Sequence, residues 1–371
     1  MSRFTAASAF DHATPERTGV LLVQLGTPDE PRPAAVRRYL RQFLSDPRVV
    51  EIPRPLWWLI LNLFILPRRP AQSARKYASI WTPQGSPLFT HTKQQATLLR
   101  GYLGNAGHDA IVAFAMRYGQ PSVASVMRAM REQRLTRLLV VPMYPQYAGS
   151  TTASVYDAVF EELSHWREQP ELRVVRGFHD LPAYIDALAE RIRASWGNEG
   201  PPDTLLMSFH GVPRRSLQAG DPYHCECHAT ARLLAERLRL PADRWKISFQ
   251  SRFGRAEWLQ PYTDKTLAEL ARAGARRVDV VCPGFLADCL ETLEEIAIEG
   301  KAAFMKAGGH DFRFIPCLND SHALVAALTD LIVAQMSGWP TLKSSAPGAD
   351  DPDRARLAVR QQRARGLGAK H

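Results

Sequence analysis

The sequence predicts an α/β protein made of two similar halves, each a four-stranded parallel sheet flanked by helices. Three observations carry this. Eight short apolar runs have strand length, four in each half-chain: 19–25, 111–116, 138–143 and 172–175, then 204–209, 246–250, 278–282 and 312–315. Helical stretches such as 122–133 and 153–168 lie between them, which is the alternation of a doubly wound sheet. After a helix at 184–196, the dipeptide Pro201-Pro202 marks where the pattern restarts. Two such halves facing each other make a cleft, the default place for a ligand.

The length of 371 residues fits two domains. We expect a flexible leader at 1–18, domains at 19–180 and 181–340, and a disordered basic tail at 341–371, where Ser, Ala, Gly, Pro and charges leave no apolar period. The last helix before that tail is expected to pack back on the first domain. The net charge of +10 calls for an acidic partner: nucleic acid, anionic lipid or a carboxylate-bearing small molecule. The basic residues are scattered and form no zinc-finger, helix-turn-helix or RNA-recognition signature, so nucleic acid is disfavoured. Five cysteines, set in strands and helix starts, read as reduced thiols in the cytoplasm. The N-terminal residues lack the apolar core of a signal peptide.

In chain order, GVLLVQL (19–25) is an apolar run of central-strand type and stops at Gly26-Thr27-Pro28. That stop reads either as a plain turn or as a place where a ligand approaches the backbone. A helix follows at 33–43. The segment 55–67, PLWWLILNLFILP, is the most hydrophobic, but its apolar core of 11 residues falls short of the roughly 20 that span a bilayer. It reads either as a core helix or as an amphiphilic lip with an arginine collar (Arg54, Arg68, Arg69) at an anionic membrane surface.

The strand at 204–209 ends abruptly at His210-Gly211, with Pro213 holding the turn. An imidazole at the carboxyl end of a parallel strand stands where open α/β sheets place their ligands. In CPGFLADCLETLEEIAIE (282–299), a helix starts around Ala287-Asp288. Asp288, Glu291 and Glu295 share one face, Leu290, Leu293, Ile296 and Ala297 share another, and Glu294 and Glu299 are expected in solvent. Glu291 begins a helix at the sheet edge that holds His210. Imidazole and carboxylate converging there suit either a divalent metal such as Fe(II) or a proton-transfer pair. The run HCECH (224–228) offers the spacing C-x-C, a poorer chelate than C-x2-C, so Cys225 and Cys227 are assigned structural or incidental roles. His91, His108, His165 and His179 read as ordinary polar histidines. Tyr77 and Trp81 read as core or as pocket border.

Several longer runs resemble the bacterial ferrochelatases over roughly residues 18–335. They are LLMSFHGVP (205–213) followed by GDPY (220–223), PGFLADCLETLEE (283–295), SFQSRFGRAEWLQPYTD (248–264) and YPQYAGSTT (144–152). The resemblance implies two Rossmann-like, chelatase-type domains with a porphyrin between them, and insertion of ferrous iron into protoporphyrin IX. It implies His210 and Glu291 as the pair at the metal, and Leu25, Arg117, Tyr118, Tyr147, Trp258 and Phe285 as residues of the porphyrin pocket. Porphyrin and ferrous iron are then substrates, with no permanently bound cofactor. A cytoplasmic monomer touching the inner membrane surface is expected.

The reaction needs these groups. A free-base porphyrin must lose two pyrrole protons to a base over its face, and imidazoles are mostly unprotonated at pH 7. Glu291 with Asp288 and Glu295 is suited to passing metal in or protons out. A rigid apolar wall from Leu25, Trp258 and the lip residues Trp57, Leu61 and Ile65 would hold the macrocycle bent. Arg117 and other cations would draw the propionates. Two departures from the family stand out. Cys289 replaces a histidine that many relatives carry two residues before the helix glutamate, which strengthens His210 as the base. Gly149 stands where animal relatives carry the first cysteine of an iron–sulfur cluster, and no cysteine follows Cys317, so no cluster is predicted. The alternatives are coproporphyrin or cobalt insertion, and, in another class, a non-catalytic haem or metal carrier.

Overall fold

The computed structural model describes residues 4, 12, 14–254, 256–342 and 352–369. It contains two four-stranded parallel sheets of identical order. In the first, β2 (Ile111–Tyr118), β1 (Arg17–Gly26), β3 (Leu135–Pro142) and β4 (Glu171–Val174) lie side by side. In the second, β6 (Trp245–Gln250), β5 (Thr204–His210), β7 (Arg277–Val281) and β8 (Asp311–Phe314) repeat that order. The central strands β1 and β5 are buried almost throughout, as their uninterrupted apolar runs require.

The inner faces of the two sheets share one core. It joins Val20, Leu22 and Val141 of the first half to Met207, Phe209 and Leu234 of the second. Helix His322–Gln335 packs on helix Pro87–Asn105 of the first half and on helix Pro182–Trp196. The outer faces keep separate cores, around Leu21, Val140 and Val159 in one half and around Leu206, Val280 and Phe304 in the other.

Two glycines let the strand ends close up. Gly26 has φ +113°, and a Cβ there would stand 1.7 Å from the Tyr118 carbonyl oxygen. Gly211 donates its N–H to the Gln250 carbonyl at 2.8 Å. A Cβ there would meet that same oxygen at 2.8 Å and the Trp258 ring at 3.2 Å.

Three expectations need correction. The lip is helical, as Arg54–Ile60, a π-turn Leu61–Ile65 and Leu66–Ile80, but its orientation differs. Trp57 and Leu61 point inward to a small core with Leu66, while Leu56, Trp58, Leu59, Leu63 and Phe64 are exposed. The π-turn changes the phase that α-helical spacing assumes. Within the tail, Pro352–Gly366 forms a helix rather than a disordered segment, in keeping with its Ala, Arg, Gln and Leu content. Its Arg360 donates to the carbonyl oxygens of His12 and Thr14. The leader prediction falls mostly outside the described residues, and β1 already begins at Arg17.

Candidate active site

The carboxyl edges of both sheets meet where Leu25, in the last residues of β1, packs with Leu88, Ala287, Cys289 and Phe285. His210 ends β5 at this edge. Its Nδ1 lies 2.6 Å from the Gly211 carbonyl oxygen, which can only accept, so Nδ1 carries the proton and Nε2 keeps a lone pair. The ring sits between Trp258 and Phe285, with centroids 6.5 and 6.4 Å away. The Tyr223 hydroxyl donates to the His210 carbonyl at 2.9 Å. The Trp258 Nε1 is buried without a hydrogen-bond partner.

Glu291 opens a ten-residue π-helix, Glu291–Gly300. Such i→i+5 turns are rare and concentrate at functional sites. The helix begins later than the sequence suggests, because Asp288 is used as a fastener. Its carboxylate accepts from Asn319 Nδ2 at 2.8 Å, Thr292 Oγ1 at 3.0 Å and the Cys317 N–H at 3.3 Å. Glu294, expected in solvent, is buried and pairs with Lys76 at 2.9 Å; Lys76 also holds the exposed Glu299 at 2.7 Å. This ties the π-helix to the helix that continues from the lip.

Gln250 and Glu295 link His210 to Glu291. Gln250 is paired with His210 across the β5–β6 register. Its Nε2 donates to the Glu291 carbonyl oxygen at 2.7 Å, and its Oε1 accepts from Ser208 Oγ at 2.7 Å. Glu295 accepts from the Ser251 N–H at 2.6 Å and from Ser251 Oγ. Ser251 holds φ +64°, a left-handed conformation that aims its N–H at the carboxylate. Burial pushes the Glu295 carboxyl up; the Ser251 hydrogen bonds, and His210 when it carries a second proton, work against that, and Glu291 adds to it. Glu295 thus stands within electrostatic reach of both His210 and Glu291.

Tyr39 and Tyr144, which sequence reasoning missed, and Tyr77, which it read as core or pocket border, lie within electrostatic reach of Glu291. Burial lifts the hydroxyls of Tyr39 and Tyr77 well above the usual range, and the nearby Glu291 charge raises both further. The two rings meet edge to face at 6.4 Å. Tyr144, from the YPQY segment, is raised by burial as well, and its hydroxyl is buried with no partner. Single aromatic residues in three separate segments give no sequence signal that they converge.

The remaining family-derived residues have other immediate partners. Arg117 donates to Asp46 Oδ2 at 2.6 Å and to Ser154 at 2.7 Å, so its charge is already paired. The Tyr118 hydroxyl donates to the same Asp46 oxygen at 2.8 Å. Arg117 borders a cavity of about 340 Å³ with Gln42, Ser122 and His165, a lining that contains neither His210 nor Glu291. Tyr147 is gripped by Glu226, which accepts its N–H at 2.7 Å, while the Arg176 guanidinium lies 4.7 Å over its ring. His91, His108, His165 and His179 each bond to a neighbour, namely Asp320, Thr341, the Glu161 carbonyl and Glu226. Tyr77 is core, packed with Val36, Ala74 and Ile80, with Trp81 against them. All five cysteines are free thiols.

Known proteins match this architecture closely. The model of the ferrochelatase family matches residues 17–336. The ferrochelatase of Aromatoleum aromaticum is 57% identical over 371 residues, covering 100% of both chains. That of a Polaromonas species is 58% identical over 342 residues, covering 91% of this chain and 93% of that one. Among solved structures, SirB from Bacillus subtilis with Fe3+ superimposes with a TM-score of 0.53 at 11% identity, over 88% of this chain and all of that one, a likeness of fold. With the profile spanning both sheets and full-length relatives above half identity, the chain belongs to the ferrochelatase family.

Proposed function

We propose that this ferrochelatase inserts Fe(II) into protoporphyrin IX, with His210 and Glu291 on the metal's path. The observation that carries the reading is the pairing of a fixed imidazole with Glu291 and Glu295 through Gln250, at an edge faced by Leu25, Trp258 and Phe285. His210 Nε2 is the free lone pair available to take a pyrrole proton or to meet the entering iron. Two N–H bonds break, two protons leave, and Fe(II) takes the four ring nitrogens with no change of oxidation state. Glu291 and Glu295 receive the protons or hand over the ion. Asp288, with its oxygens taken by Asn319, Thr292 and Cys317, holds the start of the helix instead. No resident cofactor enters these steps.

The preference for protoporphyrin follows from the exposed apolar stripe of the lip, flanked by Arg54, Arg68 and Arg69, which suits delivery of a hydrophobic porphyrin from an anionic membrane face. No described helix is long and apolar enough to cross a membrane. We place the working protein in the cytoplasm as a monomer touching that face. The test is a spectrophotometric insertion assay with Fe(II) and Zn(II) on protoporphyrin and coproporphyrin. A kcat/KM at least tenfold higher for protoporphyrin supports the reading, and equal or reversed preference removes it. His210→Ala should lower kcat by roughly a hundredfold or more, the usual worth of a positioned base.

A further inference from the structure

We propose that His224 and His228 form a second divalent-metal site, outside the cleft, in which two imidazoles and water hold a borderline ion such as Zn(II), Ni(II) or Fe(II). Both lie on helix Tyr223–Leu238, one turn apart. An i, i+4 histidine pair on one helical face is the spacing by which helical metal sites present two nitrogens to one ion. Their ring centroids are 4.4 Å apart with planes inclined at 45°. Two imidazoles reaching one ion at about 2.1 Å per nitrogen bring their rings to this kind of separation.

The chemistry around the pair favours a ligand. His91, His108, His179, His210 and His322 each have a protein partner, whereas neither His224 nor His228 makes a hydrogen bond or ion pair within the described protein. The His224 ring stacks on Phe249 at 5.8 Å and 19°, which fixes its orientation, and His228 lies 6.4 Å from the same ring. His228 is exposed and His224 half-buried, so water can complete the coordination sphere. Partial burial lowers the pKa of both imidazoles, and the His224 charge lowers that of His228 further, which keeps both in the neutral form that binds metal.

Only two donors take part. No group of three or more His, Cys, Asp or Glu converges as a metal site among the described residues. Within HCECH the two thiols go separate ways: Cys227 is buried in the shared core, while Cys225 is exposed. The positive end of the helix opposes a cation here by only about 0.3–1 kcal/mol. The pair is also separate from the reacting groups. Phe249, under the pair, belongs to the shared inner core, while its neighbours Ser248 and Gln250 bond to Thr263 and Glu291 on the other side of the sheet.

Equilibrium dialysis of the full chain against Zn(II) at pH 7.5 tests this. Wild type should bind one more Zn(II) than His224→Ala/His228→Ala, His210→Ala should bind one more than the triple variant His210→Ala/His224→Ala/His228→Ala, and His228→Gln alone should weaken that site at least tenfold. Zn(II) should raise the Tm of His210→Ala but not that of the triple variant, and should raise that of the double variant less than that of wild type. Iron insertion by the folded double variant should equal wild type. Cys225→Ser should leave binding unchanged. Equal Zn(II) stoichiometry and affinity in wild type, the double variant and His228→Gln would overturn the site, and loss of binding in Cys225→Ser would overturn its two-imidazole composition.

Discussion

Gln250 Nε2 donates to the carbonyl oxygen of Glu291 at 2.7 Å, so the strand beside His210 and the π-helix that Glu291 opens are tied through one side chain. Gln250 is 4% exposed, and its other atom takes the Ser208 hydroxyl. Gln250→Leu strips both partners and should cost about 1–3 kcal/mol of stability. Below its Tm, the variant should lose about tenfold in kcat with little change in porphyrin KM, the pattern of a misplaced reacting group. A wild-type kcat would show that Gln250 does not position Glu291.

Gly211 holds His210 by being small. Adding a methyl puts carbon 2.8 Å from a backbone oxygen of β6 and 3.2 Å from the Trp258 ring, and the backbone oxygen cannot yield without breaking the β5–β6 register. Gly211→Ala should lower stability by about 1–3 kcal/mol. It should also reduce Zn(II) insertion in the folded protein, because both His210 and Trp258 shift. Thermal melts and the insertion assay run side by side check this, and unchanged values in both would refute the close approach.

The strands and their order of appearance were legible because buried parallel strands leave near-continuous apolar runs. His210 was legible because such a run stops on it. Gln250, Ser251, Tyr39 and Tyr144 were not, since their roles come from neighbours far along the chain. Glu294 looked solvated because its partner Lys76 is 218 residues away. The π-turns at 61–65 and 291–300 were invisible, because apolar spacing does not separate i→i+4 from i→i+5 turns over so few residues. The first of them brings Leu66, five residues past Leu61, onto the inward face that Trp57 and Leu61 already share.

Asp46 makes acid a selective stress. Burial alone would raise its carboxyl. Hydrogen bonds from Ser154, the Arg48 N–H and Tyr118, with the Arg117 charge, more than offset this and hold it below the ordinary range. A depressed carboxyl stabilises the folded state above its unfolded pKa of about 3.9, and that contribution is lost as pH falls through the folded value. Asp46→Asn should therefore cost about 3 kcal/mol near neutrality, as removal of one partner of a buried pair does. The gap between wild type and variant should close as pH drops below about 4. Urea unfolding from pH 7 down to pH 3 measures it, and a gap independent of pH would mean that the charge of Asp46 is not what stabilises the cluster.

The lip offers a contrast between two neighbouring tryptophans. Trp58 is 62% exposed, whereas Trp57 is 4% exposed and donates its Nε1 to the Leu44 carbonyl at 2.6 Å. Leu63 and Phe64 share the exposed side at 58% and 57%. Each such side chain is worth about 1.5–3 kcal/mol when taken out of water, so three together should dominate adsorption to a membrane. Trp58→Ser/Leu63→Ser/Phe64→Ser should cut co-sedimentation with anionic phosphatidylglycerol vesicles more than tenfold. It should leave Tm and insertion into detergent-dispersed protoporphyrin unchanged. Trp57→Ala should instead lose about 3–5 kcal/mol of stability, as an emptied core site does. High salt should weaken wild-type adsorption in part, through Arg54, Arg68 and Arg69. If the triple variant sediments with vesicles as well as wild type does, this stripe is not the membrane contact, and the case for protoporphyrin delivered from the bilayer loses its structural support.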